Sequence, residues 1–172
     1  MERQIESKDL YIRPLNESDL DRTHEWMHRP DINKKIGVKI PFTKDEQIKW
    51  FNQLQNDNTK VVFAVCRKES GTHIGNISID NIDLRHKNAR FSIFIADQNN
   101  RGKGFGKEAL SLIEDYAFNV LNLHKIWCKT DADDPQVIRF YKNSGYQIEG
   151  TLKEHEYKEP HFIDKILFAK IT

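Results

Sequence analysis

Cysteine is scarce in this chain of 172 residues, which has only Cys66 and Cys128. Both sit in apolar, alternating stretches (61–67 and 125–130), where a free thiol behaves as a small hydrophobe. No His/Cys cluster at ligand spacing accompanies them, so the sequence offers neither a metal site nor a secretory disulfide framework. The reading is core filler in a reducing, cytoplasmic compartment. An excess of one charge is also lacking, since 27 Lys and Arg face 26 Asp and Glu for a net charge of +1. Without a basic run of five or more residues there is no electrostatic footprint for nucleic acid. No stretch approaches the ~18 apolar residues of a membrane span. The first eight residues are charged from Glu2 onward and hold no apolar signal core, so neither export nor a membrane partner is expected. Repeats, linkers and low-complexity segments are missing as well. The length suits one domain, 1–172, large enough to bury a core without staples.

What is present is an alternation of strand and helix patterns. Leu10-Tyr11-Ile12-Arg13 reads as a strand ending at Pro14. Asn16 or Ser18 can cap a helix that carries Leu20, His24 and Met27 and is limited by Pro30. Thr43-Lys44-Asp45-Glu46 fits a capping box and opens a helix with Ile48, Phe51 and Leu54 on one face, ended by the cluster 56–58. Strands are predicted around 61–67, 73–79 and 89–96, separated by turn residues, as an antiparallel meander. A helix after residue 104, a strand at 125–130 and a short helix at 134–143 with Pro135 in its first turn follow. The tail reads as two strands, 146–149 and 162–171, joined through the polar stretch 153–161. The class is α+β.

The most informative segment is Arg101-Gly102-Lys103-Gly104-Phe105-Gly106-Lys107-Glu108-Ala109-Leu110. It joins the strand that ends near Ala96 to a helix with Ala109, Leu110, Leu112, Ile113, Tyr116, Ala117 and Val120 at helical spacing. First-turn amides lack intrahelical acceptors and, with the helix dipole, form an anion site. Gly102, Gly104 and Gly106 let a ligand reach bare backbone. A P-loop would need Gly at Arg101 and Ser or Thr at Glu108, and the dinucleotide fingerprint would need Gly at Lys107. Neither fits.

The turn resembles the Arg/Gln-x-x-Gly-x-Gly/Ala pattern of the GNAT superfamily of acyl-CoA-dependent N-acetyltransferases, met by Arg101, Gly104 and Gly106. Phe140-Tyr141-Lys142-Asn143-Ser144-Gly145-Tyr146 resembles the same superfamily's Tyr-x-x-x-Gly-Phe signature at a fitting distance. The resemblance runs in order over most of the chain, from 12–15 to 162–164. It implies a central, mostly antiparallel mixed and twisted sheet, splayed at an acetyl-CoA slot and flanked by about four helices. It further implies that backbone at Phe94, Ile95 and Ala96 carries the pantetheine arm, that Arg101 to Lys107 hold the pyrophosphate, and that Asp134 and Lys142 lie beside the coenzyme. Tyr141 would be the general acid, since an amine attacking a thioester expels a thiolate that a phenol can protonate. Acetyl-CoA is then the co-substrate, no metal is needed, and transfer is direct, because no Cys or Ser sits in a nucleophile motif.

Two positions depart from the family pattern. Asp134 stands where relatives often carry Asn, and it can equally cap the short helix. Arg90 stands near where several relatives place a glutamate base. A base is needed because an alkylamine with a pKa of about 10.4 arrives protonated. His86, Glu154, His155, Glu156 and His161 are candidates by position, as is a water chain. The resemblance assigns the acceptor to 26–40 and 153–162, with Trp26, Arg29, Glu154 and Tyr157 as contact residues. These segments resemble nucleotide-sugar amine acetyltransferases, while the tail also resembles spermidine and ribosomal-protein N-terminal acetyltransferases. The expected partner is a small-molecule amine, an amino sugar (free or nucleotide-linked) or a polyamine. The alternatives are a protein N-terminus or an idle CoA-binding module. A homodimer is compatible with exposed sheet edges.

Overall fold

Alternating segments become one open mixed sheet of eight strands, in the order β1-β2-β3-β4-β5-β6-β8-β7. The computed structural model describes residues 5–37, 42–96 and 102–172. The strands are β1 (Ile5–Glu6), β2 (Leu10–Pro14), β3 (Val61–Arg67), β4 (His73–Asp83), β5 (Asn88–Ile95), β6 (Lys125–Asp131), β7 (Gln147–Lys158) and β8 (His161–Ile171). The helices are α1 (Leu20–His28), α2 (Pro30–Ile36), α3 (Lys44–Leu54), α4 (Phe105–Asp115) and α5 (Pro135–Asn143). Only β5 and β6 run parallel; the other neighbours are antiparallel.

Alternation assigns each strand's residues to one of two cores. Phe63 and Val65 of β3, Ile77 and Ile79 of β4 and Phe91 of β5 face α4, where Ala109, Leu110 and Ile113 complete the larger cluster. Val62, Ala64 and Cys66 point the other way, onto Leu20 of α1 and Trp50, Phe51 and Leu54 of α3. Cys66 and Cys128 are both buried free thiols, as read from their apolar surroundings.

The structure corrects four local expectations. Pro30 does not merely limit α1: it takes the first position of α2, where a missing N–H costs nothing, and Gly37 closes that helix at φ 73°. The buried stripe of α1 is Leu20, Thr23 and Trp26 rather than Leu20, His24 and Met27. In α3 Ile48 is 43% exposed while Gln47 is buried, donating its amide to the Leu20 carbonyl at 3.0 Å. Docking of α3 on the start of α1 thus adds Gln47 to the buried face beside Phe51 and Leu54 and leaves Ile48 outside it. The polar stretch 153–161 is strand as far as Lys158; β7 is an edge strand, so most of its polar residues are exposed without marking a loop. A register shift between Leu152 and Glu156, with Glu154 at φ 47°, absorbs the irregularity.

Candidate active site

The site begins where two parallel strands part. β5 stays paired with β4 out to Gly75↔Ile95, but it pairs with β6 only over Asn88–Arg90. Beyond Arg90 the side of β5 toward β6 opens into a cavity of about 840 Å³ lined by Phe91, Phe94 and Ile95 on one side and Cys128 to Asp131 on the other. This is the splay that the family resemblance implied. β4 supports the open strand closely. A Cβ on Gly75 would stand 2.2 Å from the Phe94 carbonyl oxygen, so only glycine lets β5 keep this course. Ala96 is fully buried, and its N–H already donates to the Ile74 carbonyl at 2.8 Å.

The glycine turn delivers α4 to this opening. Gly102 and Gly104 adopt φ 75° and 83°, the left-handed region, and Gly104 is the N-cap of α4. The first intrahelical bond joins Glu108 N to Gly104 O at 3.0 Å, so by helix geometry the amides of residues 105–107 face out of the helix start. Gly106 lines the cavity, and a Cβ there would meet the Phe140 ring at an ordinary 3.7 Å. The glycines therefore divide: two are set by backbone conformation and one leaves room in the cavity. Lys103 and Lys107 are exposed beside the turn, whereas Phe105 turns inward under the Arg67 guanidinium and can offer only its backbone. Arg101 lies outside the described residues, as do Lys39 and Ile40 of the predicted acceptor segment.

Tyr141 stands on α5, 7% exposed, and lines the cavity together with Gly106, Cys128, Val137 and Phe140. Its ring is boxed by Phe91, Phe140, Tyr146 and Phe168 at centroid distances of 5.1 to 6.0 Å. Packing and cavity access coincide in one residue. Burial, reinforced by the neighbouring Cys128 thiol, raises the Tyr141 pKa well above the usual phenol value, so the hydroxyl keeps its proton near neutrality. Burial likewise pushes Cys128 up to about 12, against the hydrogen bond with Tyr141, which leaves it a thiol and a poor nucleophile. Asp134 caps α5, its Oδ1 accepting from Val137 N at 3.1 Å, and its side chain lines the cavity 3.5 Å from Lys35 Nζ. Lys142 is exposed and not on the cavity wall.

The predicted acceptor contacts fall elsewhere. Trp26 is buried in a cluster with Ile32 and Ala96, edge-on to His73 and Phe94. Arg29 pairs with Asp31 at 2.9 Å, Glu154 is exposed on β7, and the exposed Tyr157 ring packs on Phe162. None of the four lines the cavity. Their sequence neighbours do: Met27, Asp31, Lys35 and Ile36 from α1 and α2, and His155 and Glu156 from β7. Of the five base candidates, His155 and Glu156 reach the cavity wall, while His86 is exposed and paired with Asp83 at 2.8 Å.

A set of residues with no assigned role forms the cavity floor. Along β4 and β5 the register pairs Asn76 with Phe94, Ser78 with Ser92 and Asp80 with Arg90, all six lining the cavity. The two serine hydroxyls are 2.8 Å apart, and Arg90 Nε donates to the buried Asp80 carboxylate at 2.5 Å. Trp50 of α3 lines the same cavity, with Lys60 Nζ 5.7 Å from its ring centroid. The period-two run Asn76, Ser78, Asp80 was visible in the sequence, but the same run also suits a solvated strand face. At the β6 side, Asp131 is held between Lys158 and Lys165 at 2.5 Å each, and Lys165 also pairs with Glu156. Burial lowers the Lys165 pKa less than these two carboxylates raise it, so the ammonium is retained. Among the described residues no group of three or more His, Cys, Asp or Glu stands at metal-binding spacing, and no helix is long and apolar enough to cross a membrane.

Comparison with known proteins agrees with this geometry. A family model of the acetyltransferase (GNAT) domain matches residues 9–147. The spermidine N(1)-acetyltransferase of Vibrio cholerae is 28% identical over 162 residues, 92% of this chain and 90% of that protein. The Escherichia coli K12 spermidine N(1)-acetyltransferase is also 28% identical, over 85% of this chain and 76% of its own length. A crystal structure of the Vibrio cholerae spermidine N-acetyltransferase in complex with CoA and spermine superposes with a TM-score of 0.89 at 26% identity, covering 94% of this chain and 95% of that one.

Proposed function

The chain belongs to the GNAT acetyltransferase family and is an acetyl-CoA-dependent N-acetyltransferase, and on that premise we propose that it acetylates the primary amine of an amino sugar, free or nucleotide-linked. The observation that carries the acceptor reading is the floor of Asn76, Ser78, Ser92, Asp80 and Arg90, with the Trp50 ring lining the same cavity. Neutral hydroxyl and amide groups beside a carboxylate–guanidinium pair match the hydroxyls of a sugar, and an aromatic face suits its apolar side.

A polyamine would instead ask for uncommitted carboxylates. Among the described residues, each acidic group on the cavity wall already faces a cation: Asp31 with Arg29, Asp80 with Arg90, Asp131 with Lys158 and Lys165, Asp134 with Lys35, and Glu156 with Lys165. A polyamine remains the second reading because of the activity carried by the Vibrio cholerae and Escherichia coli relatives.

In the reaction, the acetyl-CoA pyrophosphate meets the first-turn amides of α4 and the pantetheine lies along the open edge of β5. The neutral amine attacks the thioester carbonyl. The tetrahedral intermediate collapses, breaking the C–S bond; Tyr141 gives its proton to the departing thiolate, and the proton shed by the newly acylated nitrogen passes through water to restore the phenol. Transfer is direct, since Cys128 is held as a thiol at the pH of the reaction. The test is thiol release from acetyl-CoA against glucosamine, a UDP-linked 4-amino sugar, spermidine, an aminoglycoside and a short peptide. Release with the amino sugars and little with spermidine supports the reading; release with spermidine alone replaces it with the polyamine reading.

A further inference from the structure

Behind the cavity floor lies a buried polar set that the transfer chemistry does not use. Asp19, Thr23, His73 and Asn76 are each 3 to 6% exposed. The Arg13 guanidinium donates to both Asp19 oxygens at 2.6 and 2.8 Å, and Asn16 N donates to Oδ2 at 3.0 Å. Burial pushes the Asp19 carboxyl upward, but these bonds and His73 outweigh it and hold the group well below the usual carboxylate range. His73 Nε2 is 2.7 Å from the end of the Asn76 side-chain amide, whose other terminal atom lies 3.4 Å from Thr23 Oγ1. Asn76 and Thr23 line the main cavity, whereas Asp19 and His73 line a separate polar cleft of about 280 Å³ on the far side.

His73 Nδ1 is buried with no hydrogen-bond partner at normal distance; what faces it is Asp19 Oδ1, 3.4 Å away. An ionised carboxylate in front of a nitrogen lone pair in a buried setting is repulsive, and in front of an N–H it is attractive. The proton therefore belongs on Nδ1; Nε2 is then an acceptor, and the Asn76 amide satisfies the set with its NH2 toward Nε2 and its oxygen toward the Thr23 hydroxyl. The ring is further held by Arg22, which donates to the His73 carbonyl at 2.9 Å, and by the Trp26 ring edge at 4.7 Å. With that side of the imidazole fixed, Nε2 is aimed at Asn76 alone. Asn76 sits opposite Phe94 in the β4–β5 register, where the coenzyme edge meets the acceptor floor.

We propose that Asp19 and His73 are positioning residues that lock the Asn76 side-chain amide on the cavity floor, and that through this lock they set affinity for the amine acceptor. The inference rests on the floor being the acceptor site. A free asparagine amide would lose rotamer entropy on binding each substrate; a locked one presents its outward group already oriented.

Two readouts separate the lock from the acceptor reading. In protein labelled with nitrogen-15, the Asn76 side-chain amide should give a distinct, slowly exchanging proton pair, lost in His73→Leu and partly restored in His73→Gln, with no acceptor required. With glucosamine and acetyl-CoA, Asn76→Ala and His73→Leu should each raise the amine KM about 10-fold, the size of one lost hydrogen bond, with kcat and the acetyl-CoA KM within about two-fold. The double variant should be no worse than Asn76→Ala, because His73 acts through Asn76. Additive effects, an unchanged amine KM in Asn76→Ala, or an Asn76 amide that exchanges freely in the wild type would overturn the proposal. Should His73→Leu not fold, Asn76→Ala and His73→Gln carry the same comparison. If glucosamine is not acetylated but another acceptor of the panel is, the same cycle run on that acceptor decides the lock, while the amino-sugar reading alone fails.

Discussion

The two halves of the cavity are built from different materials. The half made by β5, the glycine turn, α4 and α5 offers backbone edge, helix-start amides, glycine and aromatic rings. The half made by β4, the Arg90 and Ser92 side chains of β5, α2, α3 and the β7–β8 hairpin offers paired charges, hydroxyls and one tryptophan face. Backbone recognition tolerates almost any side chain, provided glycine stands where φ is positive or a strand comes close. Side-chain recognition has no such tolerance. On the reading proposed above, the first half serves the coenzyme and the second decides which amine is acetylated.

The largest effect expected on this contrast comes from the residue that joins the halves. Tyr141→Phe removes the hydroxyl proposed as the acid and leaves the ring box intact, so kcat should fall about 10²- to 10⁴-fold while CoA affinity changes little. Single-turnover thiol release set beside CoA titration checks this, and a normal kcat in the variant ends the assignment. Next in size is Gly75→Ala, which drives a methyl group into the Phe94 carbonyl. Overpacking of this kind costs about 1–3 kcal/mol, and here it should also weaken CoA binding by moving the open edge of β5. Denaturant midpoints and CoA titration read the two losses together; lost stability with unchanged CoA affinity would show that the edge does not carry the coenzyme.

Asp80→Asn should act on the other half only. It keeps the shape and loses the charge that holds Arg90, so the amine KM should rise about 10-fold, as for one charge-assisted hydrogen bond, with the acetyl-CoA KM unmoved. Initial rates with each substrate varied in turn test this split. The smallest effect lies in the pH dependence of stability. Asp19 has a folded pKa below its unfolded value of about 3.9. Its contribution is therefore complete above that value and is lost as pH falls below about 4 toward the folded pKa. The melting temperature of Asp19→Asn should be lower than wild type at neutral pH and converge on it in acid; a constant gap would place the Asp19 contribution outside its charge.

Legibility in the sequence followed the same division. The turn at Gly102 and Gly104 and the helix end at Tyr141 are local patterns, and local patterns survive in a linear reading. The faces of α1 and α3 were misplaced because docking, which puts Gln47 on the Leu20 carbonyl and Trp26 under His73, overrode apolar periodicity. The strand at 147–158 was cut short because an edge strand with most of its residues exposed is as polar as a loop. The floor residues Asn76, Ser78 and Asp80 show clear period two, yet a polar strand face reads alike whether it meets solvent or a cavity. Only the parting of β5 from β6, a long-range event, separates the two.

The most direct measurement of the central claim is a single-tube competition. The protein, limiting acetyl-CoA and equal concentrations of glucosamine, a UDP-linked 4-amino sugar and spermidine are mixed, and the acetylated products are quantified by mass spectrometry. If the side-chain half of the cavity selects a sugar, an acetylated amino sugar should exceed acetylspermidine by about 10-fold or more, the discrimination expected from a few unmatched polar groups. Acetylspermidine as the main product would contradict the account.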